Sequence, residues 1–214
     1  KENIIKIGQQ AKIAASALAI TNENIKNNAL KEAAKKIKEN AKEIMKENKI
    51  DIDNANKNKL NSALIDRLEL NIDRINSMAK SIIEISELPE PVGKILSEWK
   101  RPNGLKIQKV TVPLGVIGMI YESRPNVTAD ASALGIKSGN AVILRGGRDS
   151  FYSSLKIFNI LNMTFNENNL PKNSIQIIPV LEREAVDEML KLNDYIDIII
   201  PRGGKNLIEK INEI

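Results

Sequence analysis

Apolar and small residues recur at helical spacing along the first part of the chain and in strand-like runs further on. From Leu30 they fall at Ala33, Ala34, Ile37, Ala41, Ile44 and Met45, the 3.6-residue stripe of an amphipathic helix. A shorter stripe runs through Ile4, Ile7, Ala11, Ala14, Ala15 and Leu18. A third runs through Ile72, Ile75, Met78, Ala79, Ile82 and Ile83, with Asn71 placed to cap it. The polar run DIDNANKNK (51–59) reads as a connection between helices. SELPEPVG (86–93) ends the helical region, because two prolines so close forbid its continuation.

After that the period changes. Residues 99–103 read as a turn-rich link, and LKIQKVTV (105–112) as a strand exposed on one face, at an edge or an interface. Pro113 separates it from a buried strand at 115–121. A helix near 127–137 follows, then a turn at Ser138-Gly139-Asn140 and a strand at 141–145. Asp149 or Ser150 is placed to cap a helix reaching about Asn162. SIQIIPV (174–180), a helix over 182–192, YIDIII (195–200) and a helix opened by GKNLIEKINEI complete the pattern. Four strands alternating with helices predict an α/β domain with a mainly parallel sheet, preceded by N-terminal helices.

Three strand ends carry an arginine: Arg124 in GVIGMIYESRPNVT, Arg145 in AVILRGGRDS and Arg202 in YIDIIIPRGGKN. Ligands of open parallel sheets bind outside the carboxyl ends of the strands. Arginines gathered there, with glycines that let backbone N–H groups approach phosphate oxygens, describe a site for an anionic, phosphorylated ligand. Each Arg-Gly-Gly taken singly is a tight strand-to-helix turn; the two together favour the ligand. The stretch ESRPNVTAD is more specific. Asn126 there could cap the next helix, but that leaves Glu122 and Arg124 beside it unexplained; Ser123, Thr128 and Asp130 add to the polar groups placed directly after a buried strand. An Arg at such a place holds a carboxylate or phosphate bidentately, and an Asn amide stabilises a developing oxyanion. Glu182, Arg183 and Glu184 read as a solvated helix start, Asp194 and Asp197 as structural, and Tyr121 and Tyr152 as packing residues.

Composition narrows the chemistry. The 214 residues contain no cysteine and no histidine, so they hold no thiolate nucleophile, no Ser-His-Asp triad and no Cys- or His-ligated metal. A hydrophobic share of 42% supports a core, and no apolar run approaches the ~18 residues of a membrane span. The net charge of +5 raises nucleic-acid binding, but aromatics are only 3% and the lysines are spread among glutamates on helix faces, as at Lys35, Lys36, Lys38, Glu39 and Lys42. A solvated helix surface accounts for them better.

The stretch VPLGVIGMIYESRPNVTADASALGIKSGNAVILRGG (112–147), with YIDIIIPRGGKNLI (195–208), ALIDRLELN (63–71) and LPEPVG (88–93), resembles the gamma-glutamyl phosphate reductase (glutamate-5-semialdehyde dehydrogenase) family of the aldehyde dehydrogenase-like superfamily. The resemblance covers essentially the whole chain. It implies a Rossmann-like coenzyme domain and NADPH-dependent reduction of L-glutamate 5-phosphate to L-glutamate 5-semialdehyde, a cytoplasmic step of proline biosynthesis. It also implies a homo-oligomer; the expectation of no nucleic-acid, membrane or metal partner comes from composition. The implied division is a helical part over 1–98, a β-strand link for oligomerisation over 99–112, and an α/β coenzyme-binding unit over 113–214. The chain opens on Lys1 and stops inside a helical pattern, so the expectation is the first half of a longer protein, with the nucleophilic cysteine beyond Ile214.

Residue by residue, the resemblance sets Arg145, Gly146 and Gly147 where aldehyde dehydrogenases carry the Lys-Pro-Ser strand end that contacts the adenosine ribose. A guanidinium at Arg145 suits a 2′-phosphate and hence NADP. Pro201, Arg202, Gly203 and Gly204 fall on the turn over the coenzyme pyrophosphate. Glu122, Ser123, Arg124 and Asn126 fall where the family stabilises the oxyanion; Arg124 aligns with the amide-bearing Asn, and Asn126 is the alternative. The alternative function is a non-catalytic nucleotide-binding module.

Overall fold

The computed structural model describes residues 2–179, 184–204 and 207–208. The helical stripes become α1 (Glu2–Leu18), α2 (Glu23–Glu39), α3 (Ala41–Lys57), α4 (Ser62–Leu68) and α5 (Ile72–Glu87). The stripe that begins at Leu30 is shared by two helices. Asn40 separates them: its backbone N–H donates to Lys36 and Lys38 carbonyls and its side chain donates to the Lys36 carbonyl. The stripe stays in phase across this break, with Ile37 and Ile44 both fully buried. Asn71 caps α5 as its position predicts, accepting from the Arg74 N–H at 2.9 Å.

The polar run 51–59 is mostly not a connection. It forms the last turns of α3, and Asp51 is 1% exposed. The reason lies across the structure. The Asp51 carboxylate accepts the N–H groups of Tyr152 (3.1 Å) and Ser153 (2.8 Å) and the Ser153 hydroxyl (2.5 Å). It satisfies the first-turn donors of α7 (Phe151–Glu167), which extends beyond the predicted end at Asn162. Neither Asp149 nor Ser150 makes the local cap expected of it. Asn48, one turn before Asp51, donates to the Leu68 carbonyl (2.8 Å) and Ser153 Oγ (2.9 Å) and accepts from the Leu70 N–H (2.7 Å). Polar residues on α3 thus point inward because another helix end needs them.

The hairpin β1 (Ile95–Lys100) and β2 (Lys106–Val110) pairs antiparallel around a turn at Gly104, whose φ is +88°. Trp99 and Lys100 are therefore strand, not link, and β2 has a partner within the chain. Both strands are exposed along almost their whole length, including Ile95, Leu96 and Trp99.

The remaining strands are β3 (Val116–Tyr121), β4 (Ala141–Gly146), β5 (Ile175–Ile177) and β6 (Ile198–Arg202). They form one all-parallel sheet in the order β5-β4-β3-β6. β5 is shorter than predicted, and Val180 lies outside the described residues. β6 starts later than predicted and includes Pro201 and Arg202. Helix α6 (Asn126–Lys137) follows β3 and α7 follows β4, and both pack on one face. Helix α8 (Glu184–Leu190) joins α1 on the other face, as right-handed crossovers require once β6 returns to the far side of β3. Glu182, Arg183 and most of the last predicted helix lie outside the described residues. Helices α2, α3 and α5 form a further layer on α6 and α7. Among the described residues, no helix is long and apolar enough to cross a membrane.

Small residues let these layers close. A Cβ on Gly118 of β3 would stand 2.5 Å from the Met189 methyl of α8. Two lysines are buried between helices and fully engaged. Lys26 Nζ donates to Glu90 Oε1 (2.8 Å) and the Lys137 carbonyl, while Lys137 Nζ donates to Asn27 Oδ1 (2.8 Å) and the Ser86 carbonyl. They fix α2, α5 and α6 to the Pro-rich segment after α5.

Candidate functional site

The sheet winds one way through β3, β4 and β5 and then places β6 on the other side of β3. The switch point is therefore between β3 and β6, where ligands of open α/β sheets bind. Tyr121 pairs with Gly146 on β4 and with Arg202 on β6, so three strands end at one level.

Three loops leave that level and are tied together. The Glu122 N–H donates to the Arg202 carbonyl at 3.1 Å. The Glu122 carboxylate accepts the Gly204 N–H at 3.0 Å. A Cβ on Gly203 would lie 2.6 Å from that same carboxylate, so a larger residue there would push the Glu122 side chain out of its present place. Ser123 has φ +46°, a left-handed backbone uncommon without glycine, and its hydroxyl donates to Asp149 Oδ2 at 3.0 Å. Asp149 lies in the short turn Arg148–Ser150 after β4. A Cβ on Gly147 would stand 3.3 Å from Glu122 Cα, backbone that cannot easily give way. Glu122 and Ser123 are thus braces between the loops after β3, β4 and β6.

The arginines divide by environment. Arg145 is 6% exposed, and its guanidinium donates to the Gly146 carbonyl. It stands near Tyr121, whose hydroxyl shares a hydrogen bond with Thr128 Oγ1 at 2.7 Å. Burial pushes the Tyr121 pKa up; its hydrogen bonds and the Arg145 charge oppose this only partly. Tyr121 is packing, as predicted, whereas Tyr152 is 40% exposed with its ring edge-to-face on Phe151. Arg202 is exposed at the end of β6, and so is Arg148 after Gly147. Arg148 is an exposed cation at this edge that the pattern of strand ends did not single out, because it lies past the glycines rather than before them.

Arg124 and Asn126 part company with Glu122 and Ser123. Asn126 does not cap α6: Pro125 holds that position, and Asn126 is the first helical residue. Its amide donates to Asp130 Oδ2 at 3.0 Å, one turn on. Burial raises the Asp130 pKa above the ordinary aspartate value, partly offset by that hydrogen bond. Arg124 and Asn126 line a cleft of 390 Å³ whose other walls come from α4, α5 and the loop between them. Asp197, before β6, is structural as predicted. It accepts the Val116 N–H (2.8 Å) and pairs with Lys12 (2.7 Å).

The sequence profile described as "Aldehyde dehydrogenase family" matches residues 1–214. Gamma-glutamyl phosphate reductase of Brucella suis is 52% identical over 207 residues, covering 96% of this chain and 49% of its own length. The crystal structure of gamma-glutamyl phosphate reductase from Thermotoga maritima superposes with a TM-score of 0.96 at 38% identity, over 98% of this chain and 51% of that one. The corresponding structure from Saccharomyces cerevisiae gives 0.90 at 34% identity, over 96% and 52%. The chain spans about half the length of the curated relatives it matches.

Proposed function

The chain belongs to the aldehyde dehydrogenase family, and from that premise we propose that it is the coenzyme-binding half of an NADPH-dependent reductase converting L-glutamate 5-phosphate to L-glutamate 5-semialdehyde. The observation that carries the proposal is the braced meeting of three strand-end loops at the switch point, in a chain 52% identical to a gamma-glutamyl phosphate reductase. The step belongs to proline biosynthesis and to the cytoplasm. In this reading 113–214 binds coenzyme, 1–98 forms a helical layer against it, and the 99–112 strand with the rest of its exposed hairpin serves assembly into a homo-oligomer.

The residues present suit a dinucleotide. Among the described residues other than its chain neighbours, a Cβ on Gly204 would meet only Glu122, at 4.0 Å, so the backbone there has room for a pyrophosphate. Gly146, Gly147, Pro201, Arg202, Gly203 and Gly204 form the floor for it, and Arg145 lies on the ribose 2′-phosphate side. When bound, NADPH supplies the hydride. Arg124 and Asn126 stand on the acyl side, where donors can hold developing negative charge. Glu122 and Ser123 keep the loops in register for both. A cysteine thiolate of the family type has to come from outside residues 1–214, which hold no cysteine.

The test is oxidation of L-glutamate 5-semialdehyde by the natural gene product carrying this chain, with NADP⁺ and inorganic phosphate. Turnover that requires phosphate is expected, with none from residues 1–214 alone. Turnover by the 214 residues alone would refute the cysteine mechanism. Coenzyme binding without turnover by the natural gene product would favour the non-catalytic module.

A further inference from the structure

The cleft beside Arg124 has more charge than coenzyme binding uses. Arg74 is spent: it pairs with Asp66 at 2.7 Å and donates to the Asp66 and Glu69 carbonyls. Arg67 and Arg124 are exposed, and neither side chain makes a hydrogen bond or ion pair among the described residues. In the same cleft Asp130, half-buried, has the Asn126 amide as its one side-chain partner among the described residues. Ser77 and Ser81 add hydroxyls from one face of α5. A site for a simple phosphate would gather cations alone. Two unpaired cations share this cleft with the half-buried Asp130 and the exposed Glu69 carboxylate, which suits a ligand carrying both anionic groups and a cationic one, and Asp130, the more enclosed acid, is the stronger partner for the cation. The volume of 390 Å³ lies within the ~300–1,000 Å³ of small-molecule sites.

We infer that this cleft between α4, α5 and α6 is the subsite for the α-amino acid head of the substrate, with Arg67 binding the α-carboxylate and Asp130 the α-ammonium. Arg124, on the loop that also carries Asn126, remains for the phosphate or the reacting carbonyl. This rests on the proposed substrate and assigns its remaining charges. Each of the three ligand charges is thereby assigned a side chain of opposite sign from the cleft lining.

Two truncated aldehydes test it in the natural gene product. 5-Oxopentanoate lacks only the α-amino group, and 4-aminobutanal lacks only the α-carboxylate. Arg67→Ala is expected to raise KM about 10–100-fold for L-glutamate 5-semialdehyde and for 5-oxopentanoate, leaving 4-aminobutanal unchanged. Asp130→Asn keeps the shape and an acceptor for Asn126. It is expected to raise KM for the full substrate and 4-aminobutanal, leaving 5-oxopentanoate unchanged. In both variants kcat stays within about threefold, because the lost contact is made equally in ground and transition states. Variants that raise KM for all three aldehydes alike, or leave it unchanged for the full substrate, overturn the assignment while the proposed reaction stands. If the unaltered protein does not turn over the semialdehyde, the proposed reaction fails. Coenzyme-free calorimetric titration with L-glutamate then decides the subsite. Binding lost in Arg67→Ala upholds an amino acid site, and binding absent or unaltered overturns it.

Discussion

Replacing Asp51 by alanine should loosen the structure at a distance from the substitution in sequence. The carboxylate holds three donors at the start of α7, and all of this is buried. Removing it strands two backbone N–H groups and one hydroxyl. Loss of an N-cap costs about 0.5–2 kcal/mol, and hydrogen bonds to a charged group contribute about 1.5–3 kcal/mol each. Against this, the variant no longer desolvates a carboxylate. A net loss of about 2–4 kcal/mol follows, with roughly half that for Asp51→Asn, which keeps one acceptor. The assay is urea unfolding followed by circular dichroism. The pH dependence has a definite sign. Burial raises the Asp51 pKa above 3.8, and the hydrogen bonds from Ser153 and Tyr152 offset this only in part. The native state therefore holds the proton more tightly than the unfolded state. The stability linked to Asp51 is fully present below the unfolded pKa, roughly pH 4, and is lost as pH rises through the raised native value. Asp51→Asn should remove that slope. Because α7 begins just after the Arg145-Gly146-Gly147 loop, coenzyme binding should weaken alongside. A stability loss below about 0.5 kcal/mol in Asp51→Ala would refute the capping argument.

Arg145→Ala in the natural gene product should weaken NADPH binding about 10–150-fold and NADH binding much less, whereas Arg202→Ala should weaken both alike. Paired coenzyme titrations decide this, and equal losses in Arg145→Ala would remove the 2′-phosphate role. Glu122→Ala frees the Gly204 N–H and should raise the Kd of both coenzymes by roughly fivefold, since its carboxylate is exposed and the bond contributes about 1 kcal/mol; an unaltered Kd would mean the brace is idle. Asp197 has the opposite pH sign to Asp51. Burial pulls its pKa up, but Lys12 and the Val116 N–H outweigh this and hold it below 3.8. Its stability is present above the unfolded pKa and is lost as pH falls through the lowered native value, so Asp197→Asn should flatten the acid limb of a urea-midpoint profile.

What the chain discloses without its structure depends on whether the signal is local. Helical stripes and buried strands are local, so the parallel sheet, the end of α5 and the Asn71 cap follow from spacing alone. Asp51 and Asn48 look like loop residues because polarity is local, while the helix end they serve is about 100 positions away. Strand β1 was hidden for a related reason. A hairpin exposed on both faces has no apolar alternation to announce it, and from sequence Trp99 reads as part of the turn beside it. The site shows the same division. Glycines and arginines at strand ends were visible because motif and position coincide. The separation of Glu122 and Ser123 from Arg124 and Asn126 was not visible, since adjacent residues around Pro125 turn to different walls. Arg67 gave no signal at all: one charged residue on a short helix is ordinary until α5 and α6 set Asp130 and Arg124 around the same cleft. The proposed substrate cleft is thus a product of tertiary packing in the helical layer, whereas the proposed coenzyme edge rests on motifs that survive in the one-dimensional pattern.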